Sequence, residues 1–321
     1  MTRRGRFAPT PSGHLHIGNA FAALAAWLQM RQAGGEFVLR IEDIDTARSR
    51  SELAAMQLAD LRWLGIDWDE GPDVGGPYGP YVQSERMQLY EDALRRLDEA
   101  GWLYPCYCSR SDLARIASAP HGLSSEGAAY PGLCRGLSDS ERLARAAVKP
   151  PALRFKMNAG QVAFTDGWAG EVVFSGDEIG DFVVKRADGM FSYQLAVVVD
   201  DAAMGISDVL RGYDLLDSMP RQLALYEALG LPSPRFTHVP LIVDEEGRRL
   251  SKRDRSITLD SLREAGKKAE ALVGVLACAA GWIDRPEPVS PRELIPSFRS
   301  IKHSVEYLLL AEPLRRVICG S

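Results

Sequence analysis

The sequence has few cysteines, no strong excess of either charge and no long apolar run. Five cysteines in 321 residues are too few and too unevenly placed for a disulfide scaffold, and the N-terminus has no cleavable signal, so we expect a reduced, cytoplasmic chain. Thirty-eight basic against 43 acidic side chains give a net charge of −5, so any polyanion must be bound by local basic clusters. The longest apolar runs, residues 20–28 and 271–282, fall short of the roughly 18 residues of a membrane span, which excludes a membrane partner.

What is present is the composition of an ordinary globular protein, 46% apolar and 25% charged. Up to about residue 105 short apolar strands alternate with longer amphipathic helices, which predicts a parallel sheet covered by helices. A Ser/Gly/Ala/Pro-rich stretch then interrupts the pattern, and an unbroken apolar run at 193–199 predicts a buried strand where it resumes. We therefore predict an α/β fold with a doubly wound, Rossmann-like parallel sheet. Its predicted parts are a main domain (1–105 and 190–260), an inserted subdomain (106–189) and a helical C-terminal segment (261–321).

The segment Arg6-Phe-Ala-Pro-Thr-Pro-Ser-Gly-His-Leu-His-Ile-Gly-Asn19 predicts a strand, a turn and a helix that begins near Gly18. Free backbone amides at a helix start attract anions, and an imidazole placed just before them can donate to a phosphate oxygen. Gly18 would let a ligand approach the backbone closely. Two histidines two apart on a turn usually carry no function, but this strand-to-helix context favours a phosphate site containing His16, Gly18 and Asn19.

A second segment, residues 248–255, carries five basic side chains among eight residues. Such a run is usually a solvated surface. It also suits a triphosphate, because Lys252 can act as a mobile point charge on phosphate oxygens whose charge shifts during displacement. Together with the histidine turn it predicts a nucleotide site to which Ser251 and Lys252 contribute.

These segments resemble the two signature motifs of class I aminoacyl-tRNA synthetases, as His16-Ile-Gly-Asn19 and Arg249-Leu-Ser-Lys-Arg253. Further segments, spread over about residues 1–260, are similar to the glutamyl branch of that class: Arg6-Phe-Ala-Pro-Thr-Pro-Ser-Gly13, Arg40-Ile-Glu-Asp-Ile-Asp45, Leu64-Gly-Ile-Asp-Trp-Asp-Glu-Gly-Pro72, Gly76-Pro-Tyr-Gly-Pro-Tyr-Val-Gln-Ser-Glu-Arg86, Val198-Val-Asp-Asp201 and Val209-Leu-Arg-Gly212.

The resemblance implies a ligase that activates L-glutamate with ATP, which magnesium accompanies. His16 and Lys252 would be the catalytic residues, with His16, Gly18, Asn19, Ser251 and Lys252 binding ATP. The sequence departs from the general signatures at Asn19, which stands in place of a histidine, and at Arg249, which stands in place of a lysine. Because His16 and Lys252 are both present, we expect activity.

A free acidic amino acid presents two carboxylates and one ammonium group, so its site needs cations and an anion. Arg6 and Arg211 can make forked contacts to carboxylates. Glu42 can pair with the ammonium group and Tyr193 can add a hydroxyl, although each of these residues alone could equally be an ordinary surface, ion-pair or core residue. The resemblance places glutamate binding on Arg6, Ala8, Thr10, Glu42, Tyr193 and Arg211.

Three cysteines of the insertion and one tyrosine offer soft ligands to a metal ion. Cys106, Cys108 and Cys134 supply thiolates, a set that favours tetrahedral zinc, although from spacing alone three unlinked core cysteines are as good an explanation. The resemblance implies one zinc ion with Tyr130 as the fourth ligand. His121 lies between the cysteine pairs and is chemically the commoner ligand, so it remains the alternative.

The acceptor of the activated glutamate is predicted from length. Only 69 residues follow Lys252, whereas glutamyl-tRNA synthetases continue into anticodon-binding domains. The chain resembles instead the paralogous family that attaches glutamate to the queuosine base of tRNA(Asp), so we expect a monomer that binds the anticodon loop of tRNA(Asp). Three alternatives stay open: a minimal glutamyl-tRNA synthetase that charges the tRNA 3′ end, a catalytically silent zinc-bearing RNA-binding paralogue, and a small-molecule ligase.

Overall fold

The structure is a computed structural model that describes residues 2–109, 112, 129–243, 258–299 and 307–309. In chain order its strands are β1 Arg4–Phe7, β2 Glu36–Leu39, β3 Leu103–Cys106, β4 Ala152–Phe155, β5 Gln161–Asp166, β6 Gly170–Ser175, β7 Phe182–Lys185, β8 Asp208–Gly212, β9 Arg235–Val239, β10 Leu241–Val243 and β11 Tyr307–Leu309. Its helices are α1 Ile17–Gln32, α2 Ser51–Trp63, α3 Met87–Glu99, α4 Asp139–Ala146, α5 Gly176–Ile179, α6 Tyr193–Ala203, α7 Met219–Ala228, α8 Leu259–Glu264, α9 Ala269–Ala279 and α10 Pro291–Leu294. Two 3₁₀ helices span Gln83–Glu85 and Tyr213–Ser218.

The central sheet has the order β2-β1-β8-β9, and all of its strand pairs are parallel. Successive residues of β2 face opposite sides: Phe37 and Leu39 pack into one apolar core with α1 and α9, and Val38 packs into a second core with α3, α6 and α7. Helices therefore cover both faces of a parallel sheet, which confirms the predicted doubly wound α/β fold.

Helix α1 lies directly on the sheet and is buried over most of its length, including Ala20, Ala23, Ala25 and Ala26. Its close approach depends on Gly5 of β1, since a Cβ there would lie 2.5 Å from Cγ of Met30. Small residues on the helix and a glycine on the strand thus bring the N-terminus of α1 near the end of β1, where the candidate site lies.

The predicted buried strand at 193–199 is wrong, because Tyr193–Ala203 form helix α6. All eight residues from 194 to 201 are buried, so this part of the helix has no exposed polar face and its sequence lacks the 3.6-residue periodicity of a surface helix. The signal for a helix was Ser192, whose side chain accepts a hydrogen bond from the backbone N–H of Leu195 at 3.3 Å and so caps the helix.

The insertion contains two antiparallel units, the sheet β3-β4-β7 and the hairpin β5–β6. The first strand of that sheet begins at Leu103, three residues before the predicted start of the insertion at residue 106. The limits of the three predicted parts of the chain stay a prediction. In the C-terminal segment, predicted to be helical, α9 and α10 are helices, but Tyr307–Leu309 form a strand that pairs in parallel with β10. Among the described residues no helix is long and apolar enough to span a bilayer.

Candidate active site

A cavity of about 500 Å³ opens where β1, β8 and β9 end and α1 begins. Its volume is in the usual range for small-molecule sites, and it lies at the carboxyl edge of a parallel sheet, where α/β proteins bind ligands. Every residue that the sequence assigned to glutamate or ATP and that the structure describes lines this cavity: Arg6, Ala8, Thr10, His16, Gly18, Asn19, Glu42, Tyr193 and Arg211.

The turn that joins β1 to α1 is fixed by hydrogen bonds from the side chain of Gln57, a residue that is 1% exposed. Its side-chain amide donates to the carbonyl oxygens of Thr10 (3.0 Å) and Gly13 (2.8 Å). The backbone N–H of Glu42 donates to the carbonyl of Pro9 at 3.0 Å. The path of the turn is therefore fixed by β2 and α2 as well as by its own prolines.

His16 is the N-cap of α1. Its Nδ1 accepts a hydrogen bond from the backbone N–H of Asn19 at 3.3 Å, and Asn19 Oδ1 accepts from the backbone N–H of His16 at 3.1 Å. An accepting Nδ1 requires the neutral imidazole to carry its proton on Nε2, the nitrogen that can donate to a phosphate oxygen. Asn19, where the sequence departs from the general signature, thus completes a capping box that orients His16.

The absence of a side chain at Gly18 leaves space for the His16 ring as well as for a ligand. A Cβ at position 18 would lie 2.9 Å from Cε1 and 3.0 Å from Nδ1 of His16, closer than carbon atoms pack. The imidazole can therefore fold back over the first turn of α1 only because residue 18 is glycine.

Arg211, at the end of β8, is a buried cation, 5% exposed. Its guanidinium donates to Nε2 of His238 (2.9 Å), to the carbonyl of Leu215 (3.3 Å) and more weakly to Oη of Tyr193 (3.5 Å). All of these acceptors are neutral, and among the described residues no carboxylate lies within 4.0 Å of Arg211. Burial lowers the pKa of Arg211, and it raises that of Tyr193. The cavity thus contains a positive charge that an anionic ligand can neutralise.

Arg6, in contrast, belongs to a charge-balanced buried network. Its Nε contacts the carboxylate of Asp201 at 3.2 and 3.3 Å. Arg40, fully buried, contacts Asp201 (2.8 Å) and Glu42 (3.0 Å). Burial raises the pKa of Glu42, although Arg40 and Arg6 oppose the shift, whereas these two arginines outweigh burial and lower the pKa of Asp201. The network fixes the Glu42 carboxylate where it can accept from an ammonium group.

Ser251 and Lys252 lie outside the described residues, but described residues on both sides of positions 244–257 are at or next to the cavity lining. Ile242, next to Val243, lines the cavity. On the other side Thr258 forms an antiparallel bridge with His16, and the backbone N–H of Leu259 donates to the carbonyl of Leu15 at 2.9 Å. Thr258, the first described residue after the basic segment, thus pairs with the residue that caps α1.

The cysteines of the insertion form a cluster in which the three Sγ atoms lie within 4.8 Å of one another. Sγ of Cys108 is 3.7 Å from that of Cys134, close to the spacing of about 3.8 Å that two thiolates have on one tetrahedral zinc ion. Tyr130 Oη lies 3.5 Å from Sγ of Cys106 and 3.1 Å from that of Cys108. Burial raises the pKa of Cys108 to about 11 and also raises that of Tyr130. The cluster can hold a metal ion. The rival ligand His121 lies outside the described residues.

Sequence reasoning missed three polar residues at or beneath the cavity: Arg40, Asp166 and His238. The signal for Arg40 was available, since it lies two residues before Glu42 in the segment that follows β2, where an extended backbone puts alternate residues on one face. Nothing local indicated that Asp166 and His238, 72 positions apart, would make a hydrogen bond of 2.7 Å.

Comparisons with known proteins show which family has this sequence and fold. Residues 3–306 match the family model of the class I tRNA synthetases (E and Q), catalytic domain. A glutamyl-Q tRNA(Asp) synthetase from Symbiobacterium thermophilum is 63% identical over 295 residues, which cover 92% of this chain and 91% of the relative. A glutamate–tRNA ligase from the same organism is 42% identical over 303 residues, which cover 92% of this chain and 61% of the relative. The crystal structure of a glutamate-tRNA synthetase from Elizabethkingia anophelis superimposes with a TM-score of 0.84 at 30% identity, covering 96% of this chain and 68% of that one. The chain therefore belongs to the class I tRNA synthetases of the glutamate and glutamine type and, within them, to the glutamyl-Q tRNA(Asp) synthetases.

Proposed function

We propose that the chain activates L-glutamate with ATP and transfers it to the queuosine base in the anticodon of tRNA(Asp). An oxygen of the α-carboxylate attacks the α-phosphorus of ATP, and pyrophosphate leaves. A hydroxyl of the queuosine cyclopentenediol then attacks the carbonyl carbon of the glutamyl-adenylate, and AMP leaves. The protein supplies positioning and charge stabilisation and forms no covalent intermediate.

The observation that carries the proposal is the buried Arg211, whose described partners are all neutral, in the cavity that also contains the capped start of α1. Arg211 with Tyr193, and Arg6, bind the carboxylates of glutamate, and Glu42 binds its ammonium group. The backbone at Ala8 and Thr10 forms the wall between glutamate and nucleotide.

ATP binds at the start of α1, where His16 Nε2 and the backbone N–H of Gly18 contact its phosphates, and magnesium accompanies the nucleotide. Asn19 contributes through the capping box that orients His16. Ser251 and Lys252 complete the site from the segment that precedes Thr258, and Lys252 stabilises the pentacovalent transition state. We expect Lys252→Ala to reduce ATP–pyrophosphate exchange at least 100-fold while glutamate binding persists. Exchange near the wild-type rate would remove this role from Lys252.

The metal of the insertion is zinc, held by Cys106, Cys108, Cys134 and Tyr130. The donor set fits, since three sulfur atoms and one phenol oxygen converge and the Sγ atoms of Cys108 and Cys134 are at tetrahedral spacing. The ion, when bound, would cross-link β3 to the residues around Cys134 and supply no chemistry to the reaction, because the cavity lining includes none of its four ligands.

The test is to incubate the enzyme with ATP and radiolabelled glutamate, together with tRNA(Asp) that bears or lacks queuosine. Label on queuosine-bearing tRNA(Asp) alone, resistant to oxidation of the 3′-terminal ribose, is the expected result. Label on the 3′ end of tRNA(Glu) would replace the proposal with a minimal glutamyl-tRNA synthetase. Pyrophosphate exchange without labelled RNA would indicate a small-molecule ligase, and absence of exchange would indicate a silent RNA-binding paralogue.

An acidic protein must bind the anticodon loop with local basic patches, so the affinity for tRNA(Asp) should fall only modestly with salt. ATP and tRNA are cytoplasmic substrates, and we place the activity there. That the enzyme acts as a monomer stays a prediction, which light scattering of the purified protein with and without tRNA(Asp) would check.

A further inference from the structure

Three buried side chains form a hydrogen-bonded row from the insertion to the cavity. Asp166 Oδ2 lies 2.7 Å from Nδ1 of His238, and His238 Nε2 accepts from Nε of Arg211 at 2.9 Å. The side chains of Asp166 and His238 are fully buried. Neither residue lines the cavity, so both act on a ligand only through Arg211.

The donors and acceptors in this row leave one arrangement of protons. The guanidinium of Arg211 can only donate, so Nε2 of His238 must be unprotonated. The proton of the neutral imidazole is then on Nδ1, where it is donated to Asp166. Burial lowers the pKa of His238 to about 4. The hydrogen bonds from His238 and from backbone N–H groups together outweigh burial and lower the pKa of Asp166, so a neutral imidazole faces a carboxylate.

Asp166 is held by backbone groups on its other oxygen. Oδ1 accepts from the N–H groups of Trp168 and Ala169, both at 2.9 Å, and from that of His238 at 3.2 Å. The hairpin turn is seated on β9, since the N–H of Gly167 donates to the carbonyl of Phe236 at 2.8 Å. With Oδ1 occupied by three donors, Oδ2 is the oxygen that faces His238.

We propose that Asp166 and His238 are positioning residues that fix the guanidinium of Arg211 for a carboxylate of glutamate. A carboxylate in the place of His238 would orient Arg211 equally well but would neutralise it. A neutral imidazole with a fixed tautomer orients the guanidinium and leaves its charge to the substrate. This inference rests on the proposed function, because it takes glutamate as the ligand of Arg211.

Asp166→Asn is the decisive substitution because it preserves shape and replaces one acceptor oxygen with a donor NH₂ group. The amide oxygen can keep the three backbone donors of Oδ1, which places the NH₂ group where Oδ2 was. That NH₂ donates to Nδ1 of His238, so the imidazole proton moves to Nε2 and opposes the Nε–H of Arg211. We expect the KM for glutamate in ATP–pyrophosphate exchange to rise at least 10-fold, with the KM for ATP within twofold of wild type. Asp177→Asn, an exposed residue of the same subdomain, is the matched control and should change neither constant.

A pair of substitutions at His238 tests the same idea without the buried carboxylate. His238→Gln retains a carbonyl oxygen that can accept from Arg211, whereas His238→Leu has a similar volume and no acceptor. We expect the KM for glutamate to stay within about threefold of wild type in the glutamine variant and to rise at least 10-fold in the leucine variant. Adding Asp166→Asn to His238→Gln should cost less than it does in the wild type, because Asp166 acts through the imidazole.

The readout that a merely structural role would not change is the tautomer of His238, measured by ¹⁵N NMR of imidazole-labelled protein. The proton should be on Nδ1 in the wild type and on Nε2 in Asp166→Asn. Equal KM values for glutamate in the glutamine and leucine variants, or an unchanged KM in a folded Asp166→Asn protein, would overturn the inference. Wild-type protein that fails to exchange pyrophosphate with glutamate would overturn the proposed function instead, so the two failures are distinguishable.

Discussion

Two buried arginines in this protein should respond in opposite ways to the same substitution. Arg40 is fully buried and contacts Asp201 (2.8 Å) and Glu42 (3.0 Å). Arg211 is 5% exposed, and its described partners are all neutral. We expect Arg40→Met to destabilise the ligand-free protein strongly and Arg211→Met to leave it as stable or make it more stable.

The magnitudes follow from what each substitution leaves behind. Arg40→Met leaves Arg6 as the one described arginine beside the two buried carboxylates of Asp201 and Glu42. Removal of one partner of such a network costs about 3–5 kcal/mol of unfolding free energy. Arg211→Met strands no charge. It removes hydrogen bonds to His238 and Leu215 worth about 1 kcal/mol each, and it relieves the desolvation of an unpaired cation, worth several kcal/mol. The expected net change ranges from about zero to about 2 kcal/mol of stabilisation.

Urea unfolding of the wild type and both variants, with and without saturating glutamate, measures these changes in unfolding free energy. Glutamate should raise the unfolding midpoint of the wild type by mass action and should not raise that of Arg211→Met, whose pyrophosphate exchange should be lost. A loss of more than about 3 kcal/mol in Arg211→Met would mean that a residue outside the described ranges pairs with this cation. A wild-type response to glutamate in that variant would refute the assignment of Arg211 to the substrate.

Three further substitutions or conditions test other parts of the site. In an ordinary helix Gly18→Ala would be stabilising by up to about 1 kcal/mol, but here the added Cβ would displace the His16 ring. Pyrophosphate exchange should therefore fall at least 10-fold, with the KM for glutamate unchanged. Retained exchange would show that the position of the ring is unimportant. Cys134→Ser should abolish stoichiometric zinc, measured by atomic absorption, and lower the thermal midpoint, and unchanged zinc content would contradict the ligand set. Because the pKa of His238 is lowered from about 6.5 to about 4, the unfolded chain takes up a proton in that interval that the folded chain excludes. The wild type should therefore lose up to about 3 kcal/mol of stability as the pH falls from 6.5 to 4, and His238→Gln should lose correspondingly less; equal pH profiles in urea unfolding would contradict the lowered pKa.

The local structure at the cavity that the sequence predicts correctly is the strand, turn and helix of one motif. The turn before α1 has prolines, glycines and a capping residue within a few positions, so its geometry is encoded where it forms. Helix α6 shows the opposite case, because burial on all sides removes the periodicity by which a helix is recognised. Whether a segment that is buried on all sides forms a strand or a helix is decided by the elements that surround it.

The hydrogen bonds that link Asp166, His238 and Arg211 cannot be predicted from any local stretch of the sequence. Its members come from a hairpin of the insertion, from β9 and from β8, and only the seating of the hairpin on β9 brings them together. Sequence reasoning could place Arg211 in the site by resemblance, but which partners it has, and that the described ones are neutral, depends on tertiary structure.

The balance of charge around the cavity indicates why glutamate is preferred to glutamine. Among the described residues that are buried here, Asp201 and Glu42 balance Arg6 and Arg40, and Asp200 balances Arg86. Among these residues Arg211 remains as one unbalanced buried positive charge. Zwitterionic glutamate carries a net charge of −1 and brings the buried site to neutrality, whereas glutamine is neutral overall and would leave the cation buried and unpaired. The discrimination is therefore a property of the whole arrangement rather than of one contact, and it depends on a neutral residue behind Arg211. His238→Glu would supply the missing negative charge from the protein itself, so we expect this variant to lose most of its preference for glutamate over glutamine in competitive pyrophosphate exchange. An unchanged preference would show that discrimination arises elsewhere.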